Sequence, residues 1–157
     1  MQIGYKDAER DKEAVCAAIE TISLFFVSDS VTKFLRRKAQ LYTLFSVVFY
    51  MQRENIEIEQ CQKDHLESFV KLYSIFDNDM DLTGEISDQE KTLFDWLKKY
   101  KLASSEGLNK HTNRMIRYNV MKDFLFGLTD ELEAAQLTLY EKMQANSTVV
   151  VKEDPED

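Results

Sequence analysis

The chain has 157 residues, of which 44% are apolar, with four glycines, one proline and a formal charge of −8. A chain of this length buries ~70% of the surface that its unfolded form exposes, so it needs no disulfide or metal to be stable. The few glycines and prolines disfavour a sheet with many turns, and the negative charge disfavours general nucleic-acid binding. The longest apolar run, residues 41–51, is too short to span a bilayer.

Helical periodicity dominates the sequence from its first residues to its last third. Apolar residues recur at intervals of three and four in each long segment, which is the pattern of an amphipathic helix. Cys16 lies on the first apolar stripe, so we predict an inert core thiol there. The second segment is apolar over most of its circumference, as expected for a central helix of a bundle. The predicted helices span residues 6–27, 31–53, 63–76, 88–100, 109–125 and 130–145.

Polar residues mark several of the predicted helix ends. Ser28 is a good N-cap for the second helix. Ser87 and Glu90 have the spacing of a capping box, in which each side chain bonds the backbone N–H of the other residue. Thr129 precedes two acidic residues and is predicted to cap the last helix. The clearest loop between helices is ASSEG, residues 103–107.

The sequence therefore predicts an all-α fold, a compact bundle of about six helices with no significant sheet. Residues 1–146 are expected to form a single helical domain. Residues 147–157 are acidic, and we expect them to be a disordered tail. The two cysteines, Cys16 and Cys61, form no CxxC pair, and the first residues are charged rather than apolar. Both features favour a cytoplasmic protein without a membrane partner.

The sequence carries none of the usual catalytic patterns. His65 and His111 lie outside any spacing that suits zinc, and the scattered glycines form no phosphate-binding loop. Catalysis by a cysteine and a histidine would require Cys16 or Cys61 to lie beside one of these histidines. We therefore expect a non-catalytic chain without a cofactor.

Two cationic clusters interrupt the acidic sequence. The first comprises Lys33, Arg36, Arg37 and Lys38, and the second runs from Lys98 to Arg117. In the second, Lys110, Arg114 and Arg117 follow i, i+4, i+7 spacing, which places them on one helix face. One interpretation is that the arginines pair with acidic neighbours in the bundle and set helix packing. The other is a stripe that contacts phosphates of nucleic acid. The first is favoured because the net charge opposes nucleic-acid binding. The candidate residues for binding a partner or nucleic acid are Arg36, Arg37, Lys38, Lys110, Arg114 and Arg117.

Two segments resemble a known family. Residues 33–49, KFLRRKAQLYTLFSVVF, resemble a helix with an RKA…LF pattern in GmrSD-type restriction proteins, also described as anti-phage proteins with a ParB/sulfiredoxin-like nuclease fold. Residues 104–125, SSEGLNKHTNRMIRYNVMKDFL, are similar to a later segment in which a polar loop precedes a helix with paired arginines. The resemblance implies a helical accessory domain that binds a partner protein, a catalytic domain or nucleic acid. The family's DGQQR-type motif, tied to nucleotide hydrolysis, does not occur in this sequence.

A calcium-binding loop is the alternative function. Residues 79–90, DMDLTGEISDQE, can be aligned with a twelve-residue EF-hand loop that has Gly84 at its sharp turn. Leu82 stands where a small or polar residue is usual, and Lys91 stands where the exiting helix should be apolar. The capping box also accounts for this segment without a metal. The candidate Ca²⁺ ligands are Asp79, Asp81, Thr83, Glu85 and Glu90.

Overall fold

The computed structural model describes residues 3–82 and 86–153, with side chains described for residues 8–82 and 86–146. Every regular element in these residues is a helix, so the predicted compact all-α fold is confirmed. None of these helices has the length and apolar character needed to cross a membrane. The helices are α1 (Ile3–Ser23), α2 (Asp29–Leu35), α3 (Lys38–Arg53), α4 (Gln60–Ile75), α5 (Asp88–Ser105), α6 (His111–Phe126) and α7 (Asp130–Glu153).

The second predicted helix is wrong in one respect, because it is divided into α2 and α3. Arg36 caps the end of α2, and Arg37 has extended backbone angles (φ −79°, ψ 126°) before α3 begins. The division has a packing reason. On one straight helix Val31 and Leu44 would lie about 140° apart around the axis. Both residues are fully buried, and the break allows each to face the core.

The predicted caps are confirmed. The Ser28 side chain accepts the Val31 N–H, and the Thr129 hydroxyl accepts the Leu132 N–H. At the start of α5, Ser87 N–H donates to Glu90 Oε1 at 2.8 Å and Glu90 N–H donates to Ser87 Oγ at 3.2 Å. These ends were predictable because a cap depends on residues within one turn of each other.

The connection between α5 and α6 lies later than predicted. α5 continues to Ser105, so only the last part of the predicted loop 103–107 is non-helical, and the connection comprises residues 106–110. Gly107 has φ +57°, a left-handed conformation that favours glycine. A Cβ atom there would lie 2.9 Å from a carbon of the Lys110 side chain. The turn therefore depends on glycine for its conformation, whereas the flexible Lys110 side chain can move away from a Cβ atom.

The last helix is longer than predicted. α7 extends to Glu153, so residues 147–153 are helical rather than a disordered tail. Residues 130–153 contain neither glycine nor proline, and the first helix-breaking residue after them is Pro155. Residues 154–157 of the predicted tail lie outside the described residues.

The core is built around an aromatic cluster. The fully buried Phe69 ring of α4 contacts four rings, with centroid distances of 4.8–5.9 Å, from Phe34, Tyr73, Tyr100 and Phe124. These rings join α2, α4, α5 and α6. α1 packs mainly on α3 at the edge of the bundle and buries only a narrow stripe. Cys16 lies beside that stripe and is exposed, so the prediction of a core thiol is wrong.

Candidate functional site

Arg117 of α6 is the most deeply buried charged side chain among the candidates. Only 2% of it is exposed. Its Nη1 donates to the Ala103 carbonyl at 2.6 Å, its Nη2 to the Leu108 carbonyl at 3.0 Å, and its Nε to the Thr43 hydroxyl at 3.3 Å. These bonds connect α6 to α3, to the end of α5 and to the α5–α6 connection. Arg117 therefore holds helices together from inside the bundle.

The position of Arg117 corrects both interpretations of the second cationic cluster. Lys110 is exposed and Arg114 is half-buried, so the three residues do not form one solvent-facing stripe. Every acceptor of Arg117 is a neutral oxygen, and neither ion pair found among the described residues contains an arginine. The prediction that the arginines set helix packing holds for Arg117, but the predicted pairing with acidic neighbours is wrong.

Buried polar groups extend the Arg117 network into the core. The Tyr100 hydroxyl donates to Gln40 Oε1, and Gln40 Nε2 donates to Ser104 Oγ at 3.4 Å. Burial raises the pKa of Tyr100 well above its ordinary value, so the phenol stays neutral and remains a donor. These contacts fix the start of α3 against the end of α5.

The α5–α6 connection is held by side chains of α6. Asn113 Nδ2 donates to the carbonyls of Glu106 and Gly107 at 2.8 and 3.1 Å. The Arg114 Nη1 donates to the Asn109 carbonyl, and Arg117 bonds Leu108 as described above. Four consecutive carbonyls, from residue 106 to residue 109, are thereby bound by the helix that follows them.

The first cationic cluster is divided by the α2–α3 break. Arg36 and Arg37 lie at the break, and both are exposed. Lys38, the first residue of α3, instead lines a cleft of about 420 Å³ together with Arg114 and Arg117. We call this space the cationic cleft. Its lining residues are Lys38, Ala39, Tyr42, Leu108, Asn109, Arg114 and Arg117. The structure thus brings together three of the six candidate residues, and Arg36, Arg37 and Lys110 do not line the cleft.

A second cleft, of about 390 Å³, adjoins the first along α3 and α6. We call it the tyrosine cleft, and the two clefts together the α3–α6 groove. Tyr42 and Arg114 line both clefts. Tyr42 is 58% exposed and Tyr50 51% exposed. The tyrosine cleft is lined by Tyr42, Thr43, Ser46, Tyr50, His111, Arg114, Met115 and Tyr118.

The tyrosines of the groove were not predicted as site residues. An aromatic residue at helical spacing usually belongs to the core, so the pattern alone places Tyr42 on the apolar face of its helix. Tyr42, Ser46 and Tyr50 follow i, i+4, i+8 spacing, so one line along α3 carries them. Ser46 is a polar residue between the two tyrosines on this line, and it is the feature of the sequence that indicates a partly exposed helix face.

The structure places the calcium-loop residues in different environments. Asp79 is exposed, and its N–H donates to an Asp77 carboxylate oxygen at 2.9 Å. Glu90, the proposed last ligand, is 2% exposed, and its Oε1 accepts from Lys142 Nζ of α7 at 2.8 Å. Thr83 and Glu85 lie outside the described residues. Asp81 has a partner of its own in the structure. Calcium binding stays a prediction, and it would require the Glu90 carboxylate to leave Lys142.

Glu90 has an unusual protonation equilibrium. Burial opposes its ionisation, but the bonds from Lys142 and from the Ser87 N–H outweigh this effect and lower its pKa to about 2. The unfolded carboxyl has a pKa of about 4.3. Because the folded-state pKa is lower, the contribution to stability is complete above the unfolded value and is lost as the pH falls towards 2.

Replacement of Glu90 by glutamine should therefore have a pH-dependent effect. At pH 7 we expect Glu90→Gln to lower the free energy of unfolding by about 2 kcal/mol, because Lys142 loses its charge partner. Between pH 4.5 and 2 the difference from the unaltered chain should shrink towards zero. Urea titrations at several pH values measure both quantities. Glu106→Gln, at an exposed position, is the control. A difference in the free energy of unfolding that stays constant from pH 7 to pH 2 would contradict the lowered pKa of Glu90.

His65 and Cys61 line one cleft between α4 and α7. The imidazole is nevertheless engaged elsewhere. Its Nδ1 lies 3.1 Å from the Leu125 carbonyl oxygen, and its Nε2 lies 3.3 Å from Glu133 Oε2. Both partners are acceptors, so the ring is oriented by α6 and α7 and not by the thiol. This geometry assigns His65 to helix packing.

Comparison of the chain with models of known families, with curated proteins and with solved structures gives no match. The resemblance to GmrSD-type restriction proteins therefore stays a prediction.

Proposed function

We propose that this chain is a non-catalytic interaction domain and that the α3–α6 groove is its binding surface. One observation carries the proposal. Tyr42, Tyr50 and Met115 are each more than two-fifths exposed in a concave surface that is also lined by three cationic residues. None of the residues that line the groove is acidic, although the chain carries a charge of −8. Exposed aromatic residues, methionine and arginine are the residue types that binding interfaces favour.

The roles of the two most strongly shifted titratable groups, Glu90 and Tyr100, support the non-catalytic part of the proposal. Strongly shifted pKa values often indicate catalytic residues, but buried structural groups also produce them. Here Glu90 caps α5 and pairs with α7, and Tyr100 donates to Gln40 inside the core. Neither residue lines the groove. A structural function accounts for each of these shifts.

The family resemblance supports a role in a restriction or anti-phage system. The two segments that carry it, residues 33–49 and 104–125, include most of α3, the α5–α6 connection and nearly all of α6. They therefore supply both walls of the groove. A catalytic domain, a partner protein or nucleic acid would be bound there, and such a role requires a DGQQR-type catalytic segment on another chain or elsewhere in a longer one. The unpaired, exposed thiols of Cys16 and Cys61 suit the reducing cytoplasm.

Site-specific photo-cross-linking tests the binding surface. Replacement of Tyr42 or Tyr50 by p-benzoylphenylalanine preserves an aromatic side chain in the groove. Irradiation of cells that normally contain the chain is expected to give a discrete adduct from both positions. Leu102 of α5 and Leu137 of α7 are the control positions, because both are highly exposed and neither lines the groove. Adducts of equal yield from the control positions, or none from the groove, would refute the proposal.

A further inference from the structure

We propose that the α3–α6 groove binds one strand of nucleic acid, with a phosphate in the cationic cleft and an adjoining base against the tyrosines. The inference rests on the proposed function and names its ligand. It differs from the stripe considered in the sequence, because it uses residues from both α3 and α6. It also gives Arg117 an indirect role, as a buried charge at the base of the cleft.

The cationic cleft has the groups that a phosphate requires. Lys38 comes from the first turn of α3 and Arg114 from the first turn of α6, so the two cations approach from opposite walls. Arg114 uses Nη1 for the Asn109 carbonyl, which fixes the guanidinium at the cleft. Within the described part of the chain, its other N–H groups have no protein acceptor. A guanidinium with free N–H groups is well suited to a phosphate oxygen pair.

Arg117 adds a second reason to expect an anion. A buried charge is normally accompanied by an opposite charge, because removal from water is expensive. The three acceptors of Arg117 are two carbonyls and a hydroxyl, and no carboxylate of the described residues is paired with it. Arg117 lines the cleft that contains Lys38 and Arg114. An anion in the cleft would supply the counter-charge that the described residues do not.

The tyrosine cleft continues from this site without a gap. Tyr42 and Arg114 belong to both clefts, so a group next to a bound phosphate reaches Tyr42 first. Beyond it the Tyr50 and Tyr118 rings lie edge to face, with centroids 5.9 Å apart. Burial raises the pKa of Tyr118, which keeps its ring neutral. Aromatic faces beside a cationic track are the usual arrangement for binding single strands.

The arrangement favours a single strand over the other phosphate-containing ligands. Bases in a duplex are stacked on one another, so their faces are not accessible to tyrosines. A phosphopeptide would place its phosphate in the cationic cleft. Unlike a nucleotide, it has no planar group at a fixed distance from that phosphate, so it does not fill the tyrosine cleft. The strongly negative charge of the whole chain repels a strand from other surfaces, so binding should be confined to the groove.

The test measures binding of the full chain to a fluorescent ten-nucleotide single strand, by anisotropy in low salt. The variant Lys38→Gln/Arg114→Gln is expected to bind at least about tenfold more weakly. Its plot of log affinity against log salt should be flatter by about 0.7, because Lys38 and Arg114 contact the same phosphate and each neutralised phosphate of a single strand contributes about 0.7 to the slope. Tyr42→Leu is expected to weaken binding about tenfold with an unchanged salt slope, because it removes stacking and no charge.

The matched control is Lys98→Gln/Lys99→Gln, which removes two exposed charges from α5 outside the groove. It should change the affinity less than twofold, and circular dichroism should show that every variant is folded. The inference is overturned by absent binding, by equal effects of the two double variants, or by equal affinity for duplex and single strand. The inference would also be overturned if a phosphoserine peptide saturates the cleft and the oligonucleotide does not. If the cross-linking experiment gives adducts with protein and none with nucleic acid, the groove is still a binding surface, but a single strand is not its ligand.

Discussion

Replacement of Arg117 by alanine is expected to lower the free energy of unfolding by about 3–5 kcal/mol, although the change removes a buried charge that is paired with no carboxylate of the described residues. The guanidinium is the donor for the Ala103 and Leu108 carbonyls and for the Thr43 hydroxyl. Alanine leaves these acceptors without their donor and opens a cavity between α3, α5 and α6. Urea denaturation followed by circular dichroism measures the change.

Two variants separate the parts of this effect. Arg117→Met retains much of the side-chain volume but none of the hydrogen bonds, so a loss of about 1–3 kcal/mol is expected from unsatisfied acceptors alone. Arg114→Ala removes a half-buried arginine from the same helix and should cost less than about 1 kcal/mol. A stability of Arg117→Ala within about 0.5 kcal/mol of the unaltered chain would show that the buried network contributes little.

The second large effect is expected at Phe69. Phe69→Ala should lower the free energy of unfolding by about 3–5 kcal/mol, because it removes a fully buried ring and leaves a cavity. The loss should lie near the upper end of that range, since Phe69 contacts Phe34, Tyr73, Tyr100 and Phe124 and each aromatic pair adds about 0.5–1.5 kcal/mol.

The controls for Phe69 differ in volume and exposure. Phe69→Leu fills part of the cavity and should recover part of the loss. Tyr42→Ala removes an aromatic ring of similar size from the exposed groove and should change the free energy of unfolding by less than about 1 kcal/mol. Equal losses for Phe69→Ala and Tyr42→Ala would contradict the position of the core described for the bundle.

Features of the fold that depend on near neighbours in the sequence were predictable. The helices follow from apolar periodicity, and the caps at Ser28, Ser87 and Thr129 follow from residues within a single turn. The α2–α3 break has no such local signal, since residues 35–39 contain neither glycine nor proline. It follows from tertiary packing, which requires Val31 and Leu44 to face the same core from different directions.

The positions of the charged residues in the candidate site also depend on tertiary packing, so the local sequence does not specify them. Spacing placed Arg114 and Arg117 on one helix face, but it does not specify which of the two points inward. That depends on the Ala103 and Leu108 carbonyls, which come from α5 and the connection after it. Likewise, Lys38 was a candidate from its charge alone. Its position opposite Arg114 follows from the packing of α3 on α6, which no local pattern specifies.

The α5–α6 connection has a consequence for the thermodynamics of binding. Its carbonyls from residue 106 to residue 109 are already bound by Asn113, Arg114 and Arg117. Residues 108 and 109 also form part of a wall of the groove. The conformational entropy of this wall is therefore lost during folding and not when a ligand arrives. A ligand meets a surface that is preorganised on one side, so its affinity is not reduced by the ordering of this wall.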